Sequence, residues 1–206
     1  MDNRIKVYFS TLSKYKNKLL SILFFEIYYT LKYRDYYYKI HNHDLMTDAL
    51  PCPYFFLHEI SKFIKKNSIS NIIDLGSGTG RVVNFLANST GKNITGYEVD
   101  QELINYSLSK KKYKNANFLK EDFTLLNFED HKIDCYIYNS PLKKEEDMIE
   151  FIRKIQNVKR KYFLLVINID SHLDENKLSK LFENFEMIKF IKAGETKTLR
   201  IYQNKL

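Results

Sequence analysis

The chain has few of the residues that break or staple a fold: six glycines, three prolines and two cysteines in 206 residues. Cys52 and Cys135 lie far apart without CxxC spacing, which excludes a disulfide scaffold. Cys135 sits inside an apolar run, where a buried free thiol is expected, and a reducing, cytoplasmic compartment fits both cysteines. The low Gly and Pro content and ample apolar residues exclude a collagen repeat and a disordered tail. At this length roughly 70% of the unfolded surface can be buried, so a core forms without a disulfide or metal staple. Long apolar runs are absent too. No stretch reaches the 18 or so residues of a spanning helix. The nearest, Leu19 to Leu31, is interrupted by Glu26 and lacks the small-residue cleavage site of a signal peptide.

Arginine is scarce: only Arg4, Arg34, Arg81, Arg153, Arg160 and Arg200 among 33 basic residues. The net charge is +8, from 33 basic against 25 acidic residues. Bidentate phosphate and base recognition favours arginine, and the lysines are scattered among Asn, Ile and Tyr. Nucleic acid is therefore an unlikely partner, and biased composition accounts for the charge.

What is present is an ordered alternation. Residues 1–50 contain no Gly or Pro and read as an N-terminal helical extension, with Leu20, Phe24, Ile27 and Leu31 at helical spacing. It can pack on the domain behind it, with Tyr36, Tyr37 and Tyr38 suiting an amphipathic cover, or make weak membrane-surface contact through residues 19–31. Packing as a lid over the domain's pocket is the expected arrangement. From Pro51 to residue 206 the pattern is one α/β domain. Two prolines start the helix PCPYFFLHEISKFIKK. The strands NIIDL, NITGYEV, ANFLK, IDCYIYN and KYFLLVINI then alternate with helices, followed by the strand pair EMIKFIKA and KTLRIYQ around Gly194-Glu195. Alternation with helices of ten or more residues implies a doubly wound, mostly parallel sheet. The last connection is too short for a crossover, so its two strands are antiparallel.

The informative segment is Asp74-Leu75-Gly76-Ser77-Gly78-Thr79-Gly80-Arg81, between the first strand and a helix. Alternate glycines permit a tight turn and close ligand approach, and the helix start offers free N–H groups. A dinucleotide fingerprint would read G-x-G-x-x-G. Here the spacing is G-x-G-x-G with an acid two residues ahead, which repels a pyrophosphate and suits a ligand bearing an ammonium or sulfonium charge. Strand two ends at Glu98-Val99-Asp100, where a carboxylate can accept ribose hydroxyls. Asp100 also suits an N-cap. After strand three, Asp122 can accept an adenine amino hydrogen and Phe123 can stack on the base.

These residues resemble the class I S-adenosylmethionine-dependent methyltransferases, whose first motif reads acid-x-G-x-G-x-G; the likeness runs from about Asn71 to Gln203. The resemblance implies a seven-stranded Rossmann-like sheet in the order 3-2-1-4-5-7-6, with strand 7 antiparallel. It implies S-adenosylmethionine as cofactor. Asp74 and the Gly76, Ser77, Gly78, Thr79 and Gly80 backbone would surround the methionine part, Glu98 and Val99 the ribose, and Asp122 with Phe123 the adenine. Strand four ends in Tyr138-Asn139-Ser140-Pro141-Leu142. The amino-methylating branch carries Asp or Asn, Pro, Pro, aromatic at that place, so Asn139 and Pro141 match while Ser140 and Leu142 depart. The lost aromatic removes the ring that would stack on a flat base. The stretch also resembles a poorly characterised bacterial branch in which this strand ends in Asn-Pro-Phe.

Positioning supplies most of the rate in such an in-line transfer. Asn139 orients the acceptor, and Tyr54 or His58 stands as a further candidate near the mouth, with His58 reading first as a helical surface residue. His41-Asn42-His43-Asp44 reads as a polar loop, two histidines at i, i+2 being too little for a metal. No metal is expected. The acceptor, a protein amine, a small metabolite or glycan, or a nucleic acid, is not fixed. The alternatives are a non-catalytic adenosyl-binding or membrane-attached interaction protein and a nicotinamide-dependent oxidoreductase, the last opposed by Asp74 and the glycine spacing.

Overall fold

The computed structural model describes residues 19–34, 47, 51–129, 132–193 and 197–205. The HNHD segment, Tyr36 to Tyr38 and the Gly194-Glu195 connection lie outside the described residues.

The apolar run NIIDL forms β1 (Asn71–Leu75) at the centre of the sheet. It pairs in parallel with β2 (Asn93–Glu98) on one side and β4 (Cys135–Tyr138) on the other, placing Asp74 beside Gly96 and Ile137. β3 (Ala116–Lys120) joins β2 in parallel, and β5 (Phe163–Ile167) joins β4 in parallel. β7 (Thr198–Asn204) runs antiparallel between β5 and β6 (Phe185–Lys192). The seven strands stand in the order 3-2-1-4-5-7-6.

Among the described residues, six helices flank the sheet in chain order: α1 (Leu19–Tyr33), α2 (Tyr54–Lys66), α3 (Arg81–Thr90), α4 (Gln101–Lys110), α5 (Glu145–Gln156) and α6 (Glu175–Leu181). Side chains alternate across the strands and so build two layers. Ile72, Ile94, Ile137 and Leu165 meet the helices α2 and α3, while Ile73, Tyr136, Tyr138, Leu164 and Val166 meet α5 and α6. Local chemistry fixes the helix ends. Asp100 caps α4, accepting from the Glu102 and Leu103 N–H groups, and Asp174 caps α6 through Lys177 N–H. α5 opens on Glu145, Glu146 and Asp147 and closes on Arg153 and Lys154, charges that match the helix dipole at both ends.

α1 corrects the expected packing. The stripe Leu20, Phe24, Ile27 and Leu31 points outward, each at least 61% exposed. Ile22, Glu26 and Tyr33 are buried instead, with Leu23, Phe25 and Tyr29 partly covered against the same core layer as α2 and α3. The cause is polar. Glu26 accepts from Arg81 Nη1 at 2.9 Å and from Tyr54 N–H at 2.5 Å, fixing the helix's rotation. Tyr29 and Tyr33 close the seam by packing on Tyr54 and Phe85.

Candidate functional site

The site forms where β1, β2, β3 and β4 end and the glycine loop turns into α3. Gly76, Gly78 and Gly80 have φ of 75°, 53° and 75°, a region that side-chain-bearing residues rarely adopt. Space is equally strict: a Cβ on Gly76 would lie 2.5 Å from Pro141 Cβ, and one on Gly80 2.7 Å from the Phe118 ring. Gly76 thus seats the loop directly against the strand-four segment, so Gly76 and Pro141, 65 positions apart, become neighbours.

Backbone hydrogen bonds tie the loop to β2. Gly76 and Ser77 both donate to the Tyr97 carbonyl, at 3.0 and 2.8 Å. Glu98 accepts from Gly78 N–H at 2.9 Å through Oε2, and from Val99 and Asp100 N–H at 2.9 and 3.0 Å through Oε1. The carboxylate is thereby locked in one orientation. An ionised carboxylate offers about four acceptor positions, so capacity for a hydroxyl donor is left.

Asp74 is 1% exposed, and its Oδ2 has no hydrogen-bond partner among the described residues. Burial, reinforced by the Glu98 charge, pushes its carboxyl up to about 8. The buried Ser77 Oγ is likewise without a partner among the described residues. An acid and a hydroxyl left wanting beside a glycine loop fit the ammonium-bearing end of the adenosyl cofactor that the sequence resemblance implies. Glu98, held as described, fits its ribose.

On the β3 side, Asp122 accepts from Thr124 N–H and Oγ1 and starts a short 3₁₀ turn, Phe123–Leu125. With Leu142, Asp147, Phe151 and Lys154 it lines an open pocket of about 690 Å³. Phe123 differs from expectation. It is 1% exposed, edge-to-face on Phe151 with ring centres 4.9 Å apart. Its ring supports the loop from within the core, under Gly76.

The acceptor side is formed by the ends of β4 and β5. Asn139 Oδ1 accepts from Asn168 Nδ2 at 3.4 Å, and Asn168 Oδ1 is buried with no partner among the described residues. Ser140 and Asn168 both adopt left-handed backbone, φ 45° and 60°, and Ser140 Oγ donates to the Ile167 carbonyl at 2.9 Å. Such strained residues gather at functional sites. Thr47 crosses this edge: its Oγ1 donates to the Ser140 carbonyl and its N–H to the Pro141 carbonyl, each at 2.9 Å.

Tyr54 is a correction. It is 1% exposed, with the Arg81 guanidinium 4.5 Å above its ring, and stands in the aromatic seam under α1 rather than at the acceptor mouth. Its N–H on Glu26 and its ring against Arg81 and Phe85 tie this first-turn residue to α1 and α3. His58 packs on Phe25, ring centres 4.9 Å apart, and also faces α1. Sequence reasoning missed Glu26, Thr47 and Asn168. A lone acid inside LLSILFFEIYYTL was the available signal for Glu26. An Asn at a strand end was the signal for Asn168. Thr47 had none.

A glycine loop on β1, a carboxylate closing β2 and a polar β4 end, on a 3-2-1-4-5-7-6 sheet, define the Rossmann-like methyltransferase class. The chain matches the family model Methyltransf_31, a methyltransferase domain, over residues 40–205, and belongs to that family. It is 38% identical over 82 residues to ribosomal RNA small subunit methyltransferase A of Mesomycoplasma hyopneumoniae strain 232, covering 39% of this chain and 31% of that protein. To the protein of the same name from Hydrogenobaculum it is 26% identical over 117 residues, 56% of this chain and 46% of the other. The chain thus spans less than half the length of these curated relatives. Among solved structures, the N-methyltransferase NodS from Bradyrhizobium japonicum WM9 in complex with S-adenosyl-L-homocysteine superposes with a TM-score of 0.59 at 15% identity, over 74% of this chain and 88% of that one. Magnesium protoporphyrin IX methyltransferase from Synechocystis PCC 6803 with bound SAM gives 0.57 at 15%, over 72% and 77%. Both show the shared fold.

Proposed function

We propose that this methyltransferase uses S-adenosylmethionine and methylates a small acceptor through an amine nitrogen, in the cytoplasm. The observation that carries the acceptor class is the Asn139–Asn168 pair, in which a buried amide oxygen at the sheet edge lacks a donor among the described residues. A buried acceptor without a partner costs about 1–3 kcal/mol, and an N–H of the incoming amine offsets that. Leu142, 2% exposed, has no ring to lay on a nucleobase, and Thr47 narrows the same edge. Both favour a small acceptor. The buried free thiols Cys52 and Cys135 support the compartment.

The bound cofactor supplies a methyl group made electrophilic by its sulfonium. The chain's own residues do the rest. Asp74 and Ser77 hold the charged amino-acid end, Glu98 the ribose, and Asp122 the adenine edge. Asn139 and Asn168 aim the nitrogen lone pair at the methyl carbon, and alignment of this kind supplies the larger share of the acceleration.

A second reading, methylation of small-subunit ribosomal RNA, is favoured by the sequence likeness to ribosomal RNA small subunit methyltransferase A. The test is incubation with trideuteromethyl-labelled cofactor and, in separate arms, a small-metabolite extract, ribosomal subunits and unfolded protein, each read by mass spectrometry. Label on a small amine, lost in Asn168→Ala while cofactor affinity holds, is the expected result. Label on RNA replaces it with the second reading. Label on neither refutes both.

A further inference from the structure

α1 carries apolar residues on both faces, and one of these faces points out. The Glu26–Arg81 pair, side chains 3% and 4% exposed, fixes its rotation, and Ile22 and Tyr33 fill the inward face. Turning the other face inward would break that pair. What remains outside is a continuous stripe: Leu20, Phe24, Ile27, Tyr28 and Leu31, exposed by 84, 66, 62, 51 and 61%. Five large apolar side chains in one helical row exceed the scattered exposure normal for a surface.

The rim of this stripe is cationic. Lys32 and Arg34 stand at the C-terminal end of α1, and Lys62, Lys65 and Lys66 on the neighbouring α2. Tyr29, Lys32, His58, Lys62 and Lys65 line an open groove of about 620 Å³ between the two helices. Of the acids on these helices, Glu26 is buried on Arg81, and Glu59 pairs with Lys62 and Lys189 and offsets part of the rim's charge. Burial, and then the charges of Lys62 and Lys65 against that of Glu59, hold His58 below its usual value.

We propose that this face docks the protein onto an anionic phospholipid bilayer. Over its described residues the helix is 15 residues and roughly 22 Å long, too short to cross a membrane, and it lies in its plane. Leu20, Phe24, Ile27 and Leu31 enter the acyl boundary, and the lysine rim meets the headgroups. A second copy of the chain would bring two lysine rims together, which disfavours it. An RNA strand would want stacking rings and arginine, whereas three of the five stripe residues are aliphatic and the rim is mostly lysine.

Flotation of the full chain with vesicles of phosphatidylcholine alone, and of phosphatidylcholine and phosphatidylserine in equal parts, tests the proposal. Flotation only with the mixed vesicles is expected. Phe24→Ser with Leu31→Ser cuts the bound fraction at least about tenfold, and Lys62→Glu with Lys65→Glu removes the preference for phosphatidylserine. Unchanged affinity for S-adenosylhomocysteine shows that each variant is folded. As a measurement that leaves the stripe nearly intact, a single Phe24→Cys carrying an environment-sensitive dye shifts to the blue on adding mixed vesicles, the native thiols being buried. Absence of flotation, flotation indifferent to the stripe, or a dye already shifted without lipid because the chain covers its own stripe overturns the proposal. So does loss of dimerisation or of RNA binding, rather than of lipid binding, in the Phe24/Leu31 variant.

Discussion

Replacing Asp74 by asparagine should separate what this buried acid costs the fold from what it gives the cofactor. In the folded chain its carboxyl holds a proton up to about pH 8, against an ordinary value of 3.8. Folding therefore favours the protonated form. That contribution is complete below pH 3.8, declines as pH rises and is gone above pH 8. Each pH unit inside the window is worth about 1.4 kcal/mol, so between pH 5 and 7 the wild type loses roughly 3 kcal/mol through this one group. Asp74→Asn mimics the protonated acid and lacks that decline, which urea unfolding at several pH values reads directly. Cofactor binding moves the other way. An ammonium beside Asp74 draws off its proton, so affinity for S-adenosylhomocysteine tightens up to tenfold per unit, about thirtyfold from pH 5.5 to 7.0. Calorimetry in two buffers of different ionisation heat also registers the released proton. The asparagine variant binds weakly and without this pH slope. A flat wild-type profile, or equal slopes in both proteins, refutes the reasoning.

Glu98→Ala should weaken S-adenosylhomocysteine binding by about 1–3 kcal/mol, measured by calorimetry, since ribose hydroxyls lose a charged acceptor and Gly78 N–H loses its partner. Glu26→Ala should cost about 3 kcal/mol in urea unfolding, because it removes the carboxylate that the buried Arg81 faces. Gly96→Ala places a methyl 2.6 Å from Ser77 Cβ and should displace the loop, costing about 1–3 kcal/mol of stability together with measurable cofactor affinity.

The sheet was legible because each strand is a short apolar run bounded by polar or glycine residues, and because the hairpin connection leaves no room for a crossover. The glycine loop was legible for a related reason: three alternate glycines with positive φ have few other uses. The cap by Asp100 followed from local chemistry. What escaped was set by distant contacts. The lone acid of LLSILFFEIYYTL marks a position but not a direction; that it, and not Leu20 or Leu31, faces inward follows from Arg81, 55 positions away. Phe123 looked like a stacking ring, but Phe151 and the close approach of Gly76 draw it into the core. Tyr54 followed Arg81 in the same way.

The central claim is that the loop, Asp74 and Glu98 form an adenosyl site and not a dinucleotide site. Calorimetric titration of the full chain with S-adenosylhomocysteine and, separately, with NAD tests it most directly. One site for S-adenosylhomocysteine and no heat from NAD is the predicted result; binding of NAD with no response to S-adenosylhomocysteine would contradict it.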